Sequence, residues 1–144
     1  MEKVALGGYV IQDVEQPDVI LVGTGSELGL CVESAKTLAA EGVKARVVSL
    51  VSTELFDEQS QEYKHSVLLP GVPTLSIEAG STAGWSSYAH VSVGIDSFGA
   101  SAPAKDVYKY LGVTSANLTD KAKKLIQYYK TTGLKPHPLG KIAL

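Results

Sequence analysis

The stretch from Val19 to Leu50, VILVGTGSELGLCVESAKTLAAEGVKARVVSL, constrains the fold more than any other part of the chain. It runs as an apolar strand, a glycine-punctuated turn, an amphipathic helix, a stop at Gly42 and a second apolar strand. Two strands joined by one helix of this length lie side by side in a parallel sheet, connected by a right-handed crossover. Parallel sheets need cover on both faces, so the segment sets the class as α/β. Such folds bind ligands at the carboxyl ends of their strands, and Gly23-Thr24-Gly25-Ser26-Glu27 stands at one of them.

The remaining elements extend this unit. Tyr9–Asp13 reads as a short alternating strand at a sheet edge, and Val19–Val22 and Ala45–Leu50 as strands covered on both faces. Thr24 and Glu27 have the spacing of a capping box. In the helix that follows, Leu28, Cys31, Val32, Ala35, Leu38 and Ala39 fall on one inward stripe. The polar stretch from Thr53 to Ser66 predicts one short helix around Glu58–Lys64. Thr74–Glu78 reads as a fourth strand and Trp85–Ala89 as a helical turn. His90–Ile95 alternates and is expected as the last strand, antiparallel because no long helix precedes it. Pro103 opens a helix carrying Ala104, Val107, Tyr108 and Leu111. The last helix is predicted over Ser115–Lys130, with Leu118, Ala122, Leu125, Ile126 and Tyr129 inward. The expected architecture is a three-layer α/β/α domain over residues 1–130, built on a mostly parallel, five-stranded mixed sheet. Residues 131–144 are expected as an extended, loose tail.

Composition removes several function classes. The 144 residues carry a formal net charge of -2, so no bulk field favours nucleic acid or an anionic membrane. No apolar run approaches the ~20 residues of a membrane span, and MEKVALGG lacks a signal-peptide core. The single cysteine, Cys31, excludes an internal disulfide and suits a reducing compartment. Twelve of the thirteen basic residues are lysine, and the only arginine is Arg46. Arginine is the preferred bidentate clamp for phosphate, so the chain is poorly equipped to grip a phosphorylated ligand alone.

Candidate chemistry gathers at two predicted strand ends. Gly23–Glu27 can cradle an anion on free N–H groups or form a tight capped turn. The dinucleotide fingerprint fails, because its third glycine would fall at Leu28. Glu78, followed by Ala79-Gly80-Ser81-Thr82, is a carboxylate at another strand end and can serve as an acid, a base or a turn cap. Thr24, Gly25, Ser26, Glu27, Glu78 and Ser81 are therefore expected to line a strand-end crevice. His65, His90 and His137 lack metal-ligand spacing, and no GxSxG elbow occurs. Cys31 lies on an inward stripe, where a thiol is an inert apolar group. Read alone, the residues present no catalytic, cofactor or metal site.

Several long segments resemble one family. GGYVIQDVEQPDVILVGTGSELGLCVESAKTLAAEGVKARVVSL resembles the start of the carboxyl-terminal domain of transketolases. FDEQSQEYKHSVL, IEAGSTAGW and GIDSFGASAPAKDVYKYLGVT follow in the same order, so the resemblance covers about Lys3 to Tyr129. Val51 departs from the pattern, standing where many members have proline. FDEQ and GIDSFGASAP resemble transketolase more than the related 2-oxoacid dehydrogenases or deoxyxylulose phosphate synthases.

The resemblance implies a parent enzyme that moves two-carbon ketol units between sugar phosphates with thiamine diphosphate and Mg2+. In that family the cofactor lies between the two earlier domains, at a homodimer interface, and the metal- and diphosphate-binding motif begins Gly-Asp-Gly. No Gly-Asp-Gly occurs here, so the resemblance implies a non-catalytic scaffold and interface domain that binds no cofactor itself. Its implied partners are the other domains of the parent, and its implied location is the cytoplasm or a plastid. A free-standing small-ligand or regulatory module of the same fold is the competing expectation.

Overall fold

A computed structural model of the chain describes residues 4–78, 84–94 and 113–141. Its five strands are β1 (Gly8–Gln12), β2 (Val19–Gly23), β3 (Ala45–Leu50), β4 (Thr74–Ile77) and β5 (Val91–Val93). They form one sheet in the order β1-β3-β2-β4-β5, with β2 paired in parallel to both β3 and β4. The α-helices among the described residues are α1 (Leu28–Ala40), α2 (Thr53–Asp57), α3 (Gln61–Val67) and α4 (Ser115–Thr132).

The continuous apolar runs are explained by cover on both faces. Val19, Leu21, Ala45, Val47, Leu75 and Ile77 point to one core with Cys31 and Leu38 of α1 and Leu118 and Ala122 of α4. Ile20, Val22, Val48 and Leu50 point to the other core with Phe56, Val67, Leu68, Trp85 and Tyr88. The period-2 alternation of side chains divides each strand between the two layers. The mixed, mostly parallel three-layer architecture is as expected.

Several local expectations are corrected. β5 runs parallel to β4, with Leu75 opposite Val91 and Ile77 opposite Val93. The stretch from Glu78 to His90 is long enough for a crossover without a long helix. It includes the 3-10 turn Trp85–Ser87 and buries Trp85, Tyr88 and Ala89. The antiparallel strand is β1, paired at the edge with β3 and bulged between Val10 and Gln12.

The predicted short helix around Glu58–Lys64 is two helices. Ser52 accepts a hydrogen bond from Leu55 N–H at the start of α2, and Ser60 accepts one from Tyr63 N–H at the start of α3. On α1, Ala39 is exposed, whereas Ser34 is fully buried and bonds Thr119 of α4, Oγ to Oγ1, at 2.7 Å. Helix α4 runs past Lys130 to Thr132. The expected Pro103 helix lies outside the described residues, as does Ile95.

The tail holds neither helix nor strand over residues 133–141, but it is tied down. Leu139 is buried in the α2–α3 core, Gly140 N–H donates to Ser87 O at 2.6 Å, and Lys64 Nζ donates to Lys141 O at 2.8 Å. His90 joins the tail to the sheet. Its Nδ1 accepts from Thr74 N–H at 3.0 Å, which leaves Nε2–H to donate to His137 O at 2.9 Å. The ring also meets Tyr129 and His137 edge-on. Burial depresses the His90 pKa below its ordinary value and outweighs the hydrogen bond to His137 O, which raises it, while repulsion from the His137 ring lowers it further.

The amino-terminal approach depends on Gly7. Its φ is +83, and a Cβ there would lie 2.3 Å from Phe56 N and 2.4 Å from Ser52 O. Both obstacles are backbone atoms of the α2 turn and cannot rotate away. Gly7→Ala is expected to cost about 2 kcal/mol or more in urea unfolding, because strain and clash act together.

His90 supplies the pH dependence. Its pKa is lowered from 6.5 in the folded chain, so the unfolded chain takes up the proton first as pH falls. Stability is full above about 6.5 and is lost progressively below it, through the depressed folded value. Unfolding midpoints measured between pH 7.5 and 5 are expected to fall, and His90→Gln is expected to flatten that slope.

Candidate functional site

The strand order reverses between β2 and β4, because β3 lies on one side of β2 and β4 on the other. Such a switch point leaves a crevice at the carboxyl ends of the strands. A cavity of about 650 Å³ opens there, lined by Thr24 after β2, Leu50 and Val51 at the end of β3, and Glu78 after β4. Ser52, Thr53 and Glu54 of the α2 turn, Gly84, Trp85 and Tyr88, and Lys141 of the tail complete it. Its volume is within the range of small-molecule sites.

The sequence-derived set is only partly assembled. Thr24 and Glu78 share the crevice, whereas Gly25, Ser26 and Glu27 are absent from its lining. Ser81 lies outside the described residues. The capping box does not form. A 3-10 turn over Gly25–Glu27 separates Thr24 from α1, and the Thr24 side chain makes no cap bond. Glu27 is buried beside the helix start and accepts from Ser26 Oγ at 3.1 Å. Gly23 has a packing role. A Cβ on it would lie 2.9 Å from Cys31 Sγ and 3.0 Å from Leu28 Cα, so the glycine allows α1 to rest on the end of β2.

The missed lining residues come from far along the chain. Ser52, Trp85, Tyr88 and Lys141 meet Thr24 only once the sheet forms, and no local motif announces them. Their polar groups are largely engaged by other groups of the domain. Trp85 Nε1–H donates to Glu78 Oε2 at 2.6 Å. Tyr88 O–H donates to the Asp57 carboxylate at 2.8 Å, and Lys141 Nζ approaches the same carboxylate at 3.7 Å. Burial, followed by the Asp57 bond, raises the Tyr88 phenol well above its ordinary pKa. Tyr88 is therefore a fixed donor, with no tendency to act as a base near neutral pH.

The lone arginine is a structural clamp. Arg46 Nε donates to Asp13 Oδ1 at 3.0 Å, while one terminal nitrogen donates to Ser66 O at 2.7 Å and Val67 O at 3.1 Å. The guanidinium is buried and ties the end of β1 and the end of α3 to β3. Lys64 is also buried and donates to Asp57 O and Lys141 O. Burial, with help from Glu27, pushes the Cys31 thiol up to about 12, so it carries no thiolate at neutral pH.

These residues do not fit thiamine diphosphate with Mg2+. Among the described residues no three His, Cys, Asp or Glu side chains come together to hold a metal. Arg46, the chain's only guanidinium, faces Asp13 and two carbonyls instead of a crevice. No step of ketol transfer is therefore assigned to this chain's groups.

Comparison with known proteins agrees with the fold. The family model for the transketolase-like TK C-terminal domain matches residues 7–114. The chain is 52% identical over 130 residues to transketolase 1 of Saccharomyces cerevisiae, a match covering 90% of this chain and 19% of that protein. It is 49% identical over 132 residues to the chloroplastic transketolase of Solanum tuberosum, covering 87% of this chain and 18% of that protein. A crystal structure of a Pichia stipitis transketolase variant superposes with a TM-score of 0.91 at 42% identity, covering 99% of this chain and 21% of that one. Transketolase from Leishmania mexicana superposes with a TM-score of 0.89 at 38% identity, covering 97% and 20%. The chain thus spans about a fifth of the length of the relatives it matches.

Proposed function

The chain belongs to the transketolase C-terminal domain family, and on that premise we propose that it is the scaffold and association domain of a longer ketol-transferring enzyme. In this reading the parent moves two-carbon units between sugar phosphates, with thiamine diphosphate and Mg2+ held by its other domains. The parent is a homodimer of the cytosol or a plastid. A chloroplastic relative agrees with the plastid alternative, and no helix among the described residues is long and apolar enough to cross a membrane.

One observation carries the reading: the groups best suited to sugar phosphates are engaged internally. Arg46 faces Asp13 and the end of α3, Lys64 donates to two carbonyls, and Glu78 accepts from Trp85. Groups committed in this way rigidify a domain and add no transition-state charge stabilisation.

The crevice favours a second, compatible reading as a small-ligand or regulatory site. It sits at the switch point, where open α/β sheets bind ligands, with Thr24 and Glu78 from adjoining strands on its wall.

The two readings have separate tests. The purified 144-residue chain, supplied with thiamine diphosphate, Mg2+, a ketose phosphate and an aldose phosphate, is expected to show no ketol transfer. Measurable turnover would overturn the division of labour. For the crevice, calorimetric titration with sugar phosphates, nucleotides and simple anions is expected to give saturable heat that Glu78→Gln changes. Silence from all three classes at millimolar concentration removes the ligand reading and leaves the scaffold reading intact.

A further inference from the structure

We propose that the groove between α1 and the end of β1 binds a soluble amphipathic carboxylate, a molecule with an apolar body and one anionic head. The groove lies at the opposite end of the sheet from the strand-end crevice, and the proposal does not depend on either reading above.

The first support is an opening into the core. Helix α1 packs on β2 and β3, and the short edge strand β1 ends at Gln12. A cavity of about 720 Å³ is left between α1 and that strand end, within the range of small-molecule sites. Val32, Ala35 and Ala39 line it from one side of α1, at i, i+3 and i+7, with Val14 after β1 and Val43 and Ala45 at the approach to β3. Ala35 and Ala45 are buried members of the α1-side core, and Val32 and Val43 are partly buried against it. The floor of the groove is therefore continuous with the core, and an apolar body resting on it is removed from water on that side.

The second support is the charge around that floor. The charged lining residues are Asp13, Lys36 and Lys44. Asp13 is already neutralised. Its Oδ1 accepts from Arg46 Nε at 3.0 Å and from Val14 N–H at 2.8 Å, and its Oδ2 accepts from Arg46 Nη2 at 3.3 Å. Lys36 and Lys44 are both exposed, and neither ammonium group forms an ion pair among the described residues. Asp18 accepts from Lys44 N–H at 2.9 Å but is absent from the lining. Two uncommitted positive charges thus flank an apolar floor, on a chain whose formal net charge is -2. A cationic ligand is repelled there, and a small polar anion leaves the floor in water.

The third support concerns the class of occupant. A lysine ammonium is a compact point charge that pairs with a carboxylate without demanding a bidentate geometry. The one guanidinium, the group best matched to phosphate, is spent on Asp13 and two carbonyls. A cavity of this volume holds one small molecule, whereas a stable protein partner needs about 1,200 Å² or more of total buried surface.

The test is a proton–nitrogen NMR titration of the purified 144-residue chain with decanoate below its micelle concentration. Decyltrimethylammonium serves as the cation of equal chain length. Saturable shifts are expected at Val32, Ala35, Val43 and Ala45, with decanoate binding about tenfold or more tighter than the cation. Lys36→Glu combined with Lys44→Glu is expected to abolish that preference. Ala39→Trp, which fills the groove, is expected to weaken both ligands about tenfold. All three substitutions fall on exposed residues, and the same spectra report that the fold is kept. Absence of saturation overturns the proposal, as does equal affinity for the two head groups or shifts confined to Thr24 and Glu78 at the crevice. Dimerisation of the chain through the groove, read by sedimentation at rising protein concentration, also overturns it. So does loss of decanoate binding in the full-length parent, which would make the groove a face covered by other parts of the enzyme.

Discussion

Strand β2 is bonded along both edges and covered on both faces, and the rest of the domain is arranged around that burial. Val19, Ile20, Leu21 and Val22 are all fully inaccessible. Burying four such side chains contributes on the order of 6–12 kcal/mol of gross transfer free energy, before the entropy of ordering them. That gain requires helices on both sides, and α1 and α4 cover one face while α2, α3 and the Trp85 turn cover the other. The tight seat of α1 in turn requires Gly23, since any Cβ would strike Cys31 and Leu28. The glycine spacing that fails as a nucleotide fingerprint is thus accounted for by helix-on-strand packing.

How far the fold was legible follows from how local each determinant is. The β2–α1–β3 unit has its periodicity, helix length and glycine stop written within one stretch, and its elements form as expected. The direction of β5 is not local, because a strand of three residues carries no polarity signal. It depends on where the Trp85 segment finds buried space, beside Phe56 and Tyr88. Ala39 and Ser34 exchange roles for a similar reason: α4 packs along the Ser34 side of α1, and a hydroxyl pair takes the place of an apolar contact. The paired caps at Ser52 and Ser60 were within reach of the sequence, since each serine precedes a helical turn with an acidic residue in it. Averaging over a polar stretch hid the break between them.

The crevice was legible only where strands end in it. Thr24 and Glu78 are placed by the strands they terminate, so a reading of strand ends finds both. Gly25–Glu27 leave the lining because the 3-10 turn carries them away before α1 begins. Ser52, Tyr88 and Lys141 arrive from an α2 cap, a crossover and a tail, and their meeting depends on tertiary contacts. Arg46 shows the reverse. Its solitude suggested a weak phosphate grip, and the fold gives a concrete reason, because Asp13 and two carbonyls already surround it.

Internal engagement of polar groups gives the domain its rigidity. Hydrogen-bonded buried groups such as Arg46 and Lys64 oppose deformation, since losing one partner leaves the other unsatisfied. The same ties bring the tail back onto α3 through Lys64 and onto the sheet through His90, so the carboxyl-terminal residues brace the core. The backbone bonds at Gly7 fix the amino-terminal turn against α2 in the same way, since Gly7 O accepts from the N–H groups of both Val51 and Ser52.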